Sequence, residues 1–380
     1  MFVNFAFGGQ NPSSYPELED IGRQIMENCC GSPLALRTVG CLLRLKLQVE
    51  WDAVLDHLKQ NLEDFKTAMN NTLTLSYSSL KLSYDHLSAQ IKRCFAYCSI
   101  FPSGYEFEKN KLVLLWMAEG LLHDPRGNSR MEDVGDEYFQ ELLSRSFFQI
   151  SSGNKSCFVM HDLVSHFAVE VSGRYCCRLE DLGPSVSERT RYLSLLSVKY
   201  SFPVILRAIN TAKLLRTFLL LDHGSYHLGS NKLLSSLSKL QFLRVLSLSH
   251  NPITELPDSI SNFKYLRYIG LSHTAIQESV CDLHSLQTLI LSFCHSLTEL
   301  PENIWKLLNL CHLIISGTDL NEMPKKMSSL KYLQTLSYFV VAQKSGSSVS
   351  SWNTYHFKVA ECRLSRRCSR GSLGGEDRPR

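Results

Sequence analysis

LRVLSLSHN, residues 243–251, sets leucines at 243, 246 and 248 ahead of an asparagine, and the same spacing returns down the chain. Leu266-x-x-Ile269-x-Leu271-x-x-Thr274 follows, then Leu286-x-x-Leu289-x-Leu291-x-x-Cys294 and Leu310-x-x-Leu313-x-Ile315-x-x-Thr318. A last unit opens with Leu333-x-x-Leu336. The steps of 23, 20, 24 and 23 residues lie in the range of leucine-rich repeats, roughly 20–29 residues. In such a unit the apolar residues of a short strand point into a shared core, and the residues between them line the concave side. A second pair of anchors, Ile253/Leu256, Leu297/Leu300 and Leu320/Met323, precedes Pro257, Pro301 and Pro324. Ile276-Gln277-Glu278-Ser279 lacks that Leu-Pro, so a flattened or strained coil is expected there.

Working outward, Leu215-x-x-Phe218-x-Leu220 and the strand around Tyr192–Leu195 read as degenerate earlier units, so the solenoid is assigned to 190–341. The final coil, Leu333–Val341, runs into a Ser-, Gly- and Arg-rich tail instead of a polar cap, which predicts an open, association-prone edge. Residues 342–380 have no apolar period and are expected to be disordered.

Upstream, residues 73–175 read as a compact helical domain with one hairpin. Helices are predicted at Leu87–Ser99, Lys109–Leu121 and Met131–Arg145. Ser146–Ile150 and Cys157–Met160 flank the turn Ser151-Ser152-Gly153-Asn154-Lys155, a hairpin signature. Asp162 is expected to cap a closing helix that buries Leu163, Val164, Phe167 and Ala168. Helices, hairpin and closing helix describe a winged-helix domain. In residues 1–72, three-to-four spacing on either side of Gly31-Ser32-Pro33 predicts two helices, with Pro33 in the first turn of the second. The polar, Asn-rich run Asn61–Thr72 is expected to separate this pair from the winged-helix domain.

The formal net charge is +4, and residues 351–380 hold seven basic against three acidic side chains, leaving 33 of each in residues 1–350. A neutral body argues against a dedicated nucleic-acid surface. The helix that would read DNA, Met131–Arg145, carries Glu132, Asp133, Asp136, Glu137 and Glu141 against Arg145 alone, the wrong sign for phosphate. None of the 13 cysteines has Cys-x-x-Cys spacing, and no His/Cys group has zinc-ligand spacing, so no metal is assigned. Reduced thiols in a cytoplasmic protein are expected. The first residues lack the charged n-region of a signal peptide, and apolar runs such as Phe218–Leu221 fall short of the ~18–20 residues a membrane span needs. No nucleophile–base spacing points to an enzyme.

Several strings together carry a family resemblance. Gly31-Ser32-Pro33-Leu34-Ala35 resembles the GLPLA motif of plant NB-ARC disease resistance proteins, with Ser32 where leucine is usual. Lys92-Arg93-Cys94-Phe95-Ala96-Tyr97-Cys98-Ser99-Ile100-Phe101-Pro102 resembles their RNBS-D motif in its coiled-coil-class form. Leu115-Trp116-Met117-Ala118-Glu119-Gly120 follows, and Met160-His161-Asp162 resembles the MHD motif. The resemblance spans about residues 5–345. It implies a mixed fold: an α-helical ARC1 remnant, a winged-helix ARC2 domain and an α/β leucine-rich-repeat solenoid.

The resemblance further implies a defence receptor that switches between ADP and ATP states, with repeats that sense a pathogen effector or a guarded host protein. Pro33 would pack by the adenine base and His161 would reach a phosphate. No G-x-x-x-x-G-K-[ST] phosphate loop is present, so an N-terminally truncated receptor is expected, with its own nucleotide binding lost. Against these roles, Pro33 is equally a helix start, and His161 equally a strand-end histidine satisfied by neighbours. Ser247, Ser249, Tyr268, Ser272, Thr288, Ile290, His312 and Ile314 are the expected partner-binding positions on the strands, against the plainer reading of solvated strand faces. The competing functions are a protein-interaction scaffold, a remnant without function and, least supported, a winged-helix nucleic-acid binder.

Overall fold

The structure is a computed structural model that describes residues 2–11, 14–29, 31–47, 50–65, 72–125, 127, 129–179, 186–196, 202–221, 230–249, 256–271, 276–337, 339–342, 358–359 and 362–365. The chain forms two compact units, residues 1–200 with 210–221, and residues 201–209 with 222–380.

The first unit opens with helices α1 (Phe2–Ala6), α2 (Pro16–Asn28), α3 (Pro33–Arg44), α4 (Trp51–Phe65) and α5 (Thr72–Asp85). Proline at the start of α2 and α3 removes an N–H that has no helical partner there. Glu17 and Glu19 place negative charge at the positive end of α2. Gly31 takes φ +75° between the two helices, a backbone conformation open to glycine. Gly40 lets α1 sit close on α3: a Cβ there would meet Phe5 Cβ at 2.9 Å. Ile25, Val39, Leu42, Leu43 and Leu55 fill the shared core. The polar run beginning at Asn61 is helical in its first part, and residues 66–71 lie outside the described residues. Helix α4 continues into it as far as Phe65, held by the buried Trp51, Val54, Leu55 and Leu58 at three-to-four spacing, and α5 packs on α3 and α4.

The winged-helix part comes next: α6 (Ala89–Tyr97), α7 (Lys109–Glu119), α8 (Met131–Ser144), the antiparallel hairpin β1 (Gln149–Ile150) and β2 (Phe158–Val159), and α9 (Asp162–Ser172). Phe107 and Phe158 exchange backbone hydrogen bonds of 2.7 and 2.9 Å, which close the wing. Gly120 ends α7 in the left-handed region. Phe139 of α8 stacks on Phe148 with centroids 5.0 Å apart. Lys109 and Asp136 form a 3.0 Å ion pair between α7 and α8, so part of the acidity of α8 is answered within the domain.

The parallel ladder starts earlier than the repeat pattern suggests. Strand β3 (Cys176–Leu179) pairs with β4 (Tyr192–Leu195), helix α10 spans Phe202–Thr211, and β5 (Thr217–Leu220) pairs with β4. Strands β3 to β5 lie in the first unit.

The second unit continues with α11 (Ser230–Leu237) and the short strands β6 (Val245–Ser247), β7 (Tyr268–Gly270), β8 (Thr288–Ile290), β9 (His312–Ile314) and β10 (Thr335–Leu336). Their register runs Val245↔Tyr268, Tyr268↔Thr288, Thr288↔His312 and His312↔Thr335. Leu246, Ile269, Leu289 and Leu313 are wholly buried, as are Leu248, Leu291 and Ile315. Each such side chain contributes about 1.5–3 kcal/mol of burial. Single 3-10 turns at Asp258–Asn262, Glu278–Asp282, Ile304–Lys306 and Met327–Ser329 complete the coils.

The described residues at the stretch expected to be strained have ordinary backbone. Gln277 takes the extended conformation, φ −106° and ψ 167°, that Pro257 takes in the preceding coil, and Val280 is buried below it. Any residue can adopt that backbone, so proline is dispensable there. Two short strands fall within the segment expected to be disordered. Beyond β11 (Phe339–Ala342), β12 (Lys358–Val359) adds in parallel to β10, and β13 (Cys362–Ser365) pairs with β11. An open sheet edge offers unpaired N–H and C=O groups that take up a further strand. The remainder of 342–380 lies outside the described residues.

Candidate functional site

Pro33 and His161 are each exposed and each at a helix N-terminus in the first unit. Ser32 caps α3: its hydroxyl accepts from Ala35 N at 3.2 Å and shares a 2.5 Å hydrogen bond with Ser76. Pro33 therefore stands at the first helical position with its ring free. At α9 the cap is His161, not Asp162. His161 Nδ1 accepts from Leu163 N at 3.2 Å, while Asp162 is the first helical residue and accepts a 2.6 Å hydrogen bond from Ser103. A side chain can cap only from the non-helical residue before the first turn, and His161 holds that place. With Nδ1 as acceptor, the ring proton sits on Nε2. His161 thus presents a donor to solvent beside backbone amides, a setting that suits an anion.

The RNBS-D-like string is core. Cys94, Phe95, Tyr97, Cys98, Ile100 and Phe101 are all buried, as is Trp116. Phe95 packs on Phe147 and Phe167. The string also carries the first parallel strands. Tyr97 meets Tyr192 of β4 edge-on at 5.1 Å, Ser194 donates to Ile100 O at 2.5 Å, and Arg178 of β3 donates to Phe101 O at 2.9 Å. Thr217 of β5 donates to the buried carboxyl of Glu119, and Tyr97 lies 3.4 Å from the same hydroxyl. In the sequence Glu119 and Tyr192 stand out only as members of a motif and a strand, and Thr217 not at all. Glu119 ends α7, where an acid is poorly placed against the helix dipole, and that misfit was the available signal.

Burial pushes the Cys176 and Cys177 thiols up to about 11 and that of Cys281 to about 12. Such thiols are neither nucleophiles nor ready ligands. Among the described residues no group of three or more His, Cys, Asp or Glu is placed to hold a metal.

On the repeats, Ser247, Tyr268, Thr288, Ile290 and His312 are buried, Ser249 and Ile314 are half-buried, and Ser272 lies outside the described residues. Neighbouring strands stand about 4.8 Å apart, so side chains on one sheet face cover one another. His312 Nδ1, for example, lies 3.2 Å from Thr335 Oγ1. Phe293, three positions after β8, is exposed, 60% accessible and at φ +60°. Gly317 makes room for it, since a Cβ there would meet the Phe293 ring at 2.8 Å.

Known proteins share both parts of this geometry. Residues 100–168 match the family described as Disease resistance protein Winged helix domain, and residues 225–352 the family described as Leucine-rich repeat region. Disease resistance RPP13-like protein 1 of Arabidopsis thaliana is 42% identical over 303 residues, 76% of this chain and 28% of that protein. Disease resistance protein RPM1 of the same plant is 32% identical over 277 residues, 68% of this chain and 28% of that protein. The chain therefore spans little more than a quarter of the length of these relatives. Among solved structures, an internalin of Listeria monocytogenes is 20% identical with a TM-score of 0.31, covering 42% of this chain and 44% of its own. Leucine-rich repeats of this kind serve protein–protein interaction. No helix among the described residues is long and apolar enough to cross a membrane.

Proposed function

We propose, for a chain that belongs with the plant disease resistance proteins by its winged-helix domain and its leucine-rich repeats, that it is the regulatory and sensing portion of a cytoplasmic defence receptor. Its work is recognition and switching, not catalysis. The observation that carries this reading is the attachment of β3, β4 and β5 to the winged-helix core through Tyr97, Glu119, Ile100 and Phe101. These hydrogen bonds couple the winged helix to the first parallel strands, so a shift in one is expected to move the other.

In the complete receptor an ADP or ATP molecule would supply the phosphate charge that distinguishes closed from open states. Pro33 fits the flat base, with its ring exposed at the start of α3. His161 fits one phosphate oxygen, with Nε2–H as donor and Nδ1 held by Leu163 N. Neither replaces a glycine-rich cradle of backbone amides, so this chain by itself contributes contacts and no complete pocket. The repeats would bind a pathogen effector or a guarded host protein.

The test is a chimera in which the phosphate-loop portion of a relative precedes this chain. His161→Ala should loosen ADP and trigger cell death in leaf tissue without a pathogen. The shift can be no larger than the difference in the mutation's effect on the two states. Unchanged ADP release at equal protein levels overturns the assigned role.

A further inference from the structure

A cavity of about 270 Å³ lies between the coils that carry the turns Ile304–Lys306 and Met327–Ser329, lined in part by Glu299, Glu302, Trp305, Glu322, Met323 and Lys326. Trp305 is foreign to the repeat's own packing. Ser261, Cys281 and Ser328 hold the same position in the other coils, small side chains next to the buried Ile260, Val280 and Met327. An indole there is not needed to fill the solenoid core. It is only half-buried, and Lys326 Nζ stands over its ring, 4.7 Å from the centroid.

The cavity lining carries three carboxylates, Glu299, Glu302 and Glu322, against Lys325 and Lys326, so an acidic excess remains. Glu299, Glu302 and Glu322 are exposed at the cavity, and none of the three is in an ion pair found among the described residues. Asp258 and Glu278 hold the register of Glu302 in the two preceding coils, and the sign reverses only at Lys325. Glu278 accepts from Glu302 N at 2.8 Å, which ties those coils together and fixes one rim of the cavity. An indole face attracts an ammonium or guanidinium by its quadrupole, and flanking carboxylates add charge-assisted hydrogen bonds.

We propose that this cavity receives a lysine or arginine side chain from a basic segment of a protein partner. Trp305 is the platform, Glu299 and Glu322 are the counter-charges, and Lys326 is an internal occupant that the incoming cation displaces. This surface lies on the 3-10 turns and not on the strands, so it stands or falls separately from recognition by the strand face.

The test uses the full chain labelled with 15N at tryptophan, whose four tryptophans report through four indole N–H signals. The probe is the peptide acetyl-Gly-Arg-Gly-Arg-Gly-amide, with a twin carrying citrulline, which keeps the shape of arginine and loses its charge. The arginine peptide should move the Trp305 signal and the citrulline peptide should not. Trp305→Phe should weaken binding and Trp305→Leu should abolish it, both read by calorimetric titration because the reporting indole is gone. Lys326→Ala and Lys326→Gln should both tighten it, by roughly threefold or more, since they remove a competitor. A lysine that merely supports the coil would give no tightening. Equal binding of the citrulline peptide, unchanged or weaker binding in both Lys326 variants, or an unmoved Trp305 signal in Lys326→Ala overturns the proposal. Trp51 and Trp116 lie in the first unit, so the folding of each variant's repeats is checked by its circular dichroism and thermal transition, which should match the unsubstituted chain.

Discussion

Thr217, in a strand of the parallel ladder, gives its hydroxyl hydrogen to the buried carboxyl of Glu119, the last residue of a winged-helix helix 98 positions earlier. Tyr97 reaches the same hydroxyl. Thr217→Val keeps the shape and removes the donor, which leaves a buried acceptor short of one partner at a cost of about 1–3 kcal/mol. Thr217→Ser should restore most of it. Urea unfolding of the three proteins measures the difference, and equal midpoints for Val and wild type would show that the network adds nothing to stability.

Gly135 lies inside α8, where glycine to alanine ordinarily stabilises a helix by up to about 1 kcal/mol. Here the sign reverses. A Cβ at Gly135 would stand 2.3 Å from Val113 Cγ1 and 3.2 Å from Leu122 Cδ1, so Gly135→Ala should destabilise by about 1–3 kcal/mol through overpacking. Gly135→Ala combined with Val113→Ala should recover part of the loss, readable as a melting temperature between the two.

The thiols give a pH prediction. Burial raises Cys176 and Cys177 to about 11 and Cys281 to about 12, from an ordinary value of 9.0. The unfolded chain therefore loses these protons first. Their stabilisation is complete below about pH 9 and declines as pH climbs towards 11–12. Chemical denaturation at pH 8, 9.5 and 10.5 should show falling stability. Iodoacetamide at pH 8 should spare Cys94, Cys98 and Cys281 in the native protein and modify the half-buried Cys311 first, as mass spectrometry of the peptides would show.

Nucleotide affinity of this 380-residue chain should be negligible. One packing surface at Pro33 and one hydrogen bond at His161 amount to ~1–3 kcal/mol, against ~8 kcal/mol for a micromolar constant. Calorimetric titration with ADP and ATP that returned a micromolar or tighter constant would show a phosphate cradle built from other residues.

The order of domains was legible in the chain, because a 20- to 24-residue leucine rhythm and a helix–hairpin–helix pattern are local and periodic. The start of α3 at Pro33, the extent of α8 and the wing hairpin rest on residues close together in sequence, where caps, turns and apolar spacing decide. The core role of Cys94–Phe101 was equally readable from its unbroken apolar run. Tertiary structure decided the rest. It moved the cap of α9 from Asp162 to His161, a choice between adjacent residues that depends on where Ser103 draws the carboxylate. It carried α4 into the polar run as far as Phe65, and it paired Lys358–Val359 with a sheet edge that composition alone had left bare. It also buried most strand positions named for recognition and left Phe293 outside. A strand's period of two states which residues share a face, but the neighbours that cover that face come from coils 20 or more residues away. Glu119 and Thr217 are the clearest case: each is an unremarkable polar residue in its own segment, and only the fold brings the donor to the acid.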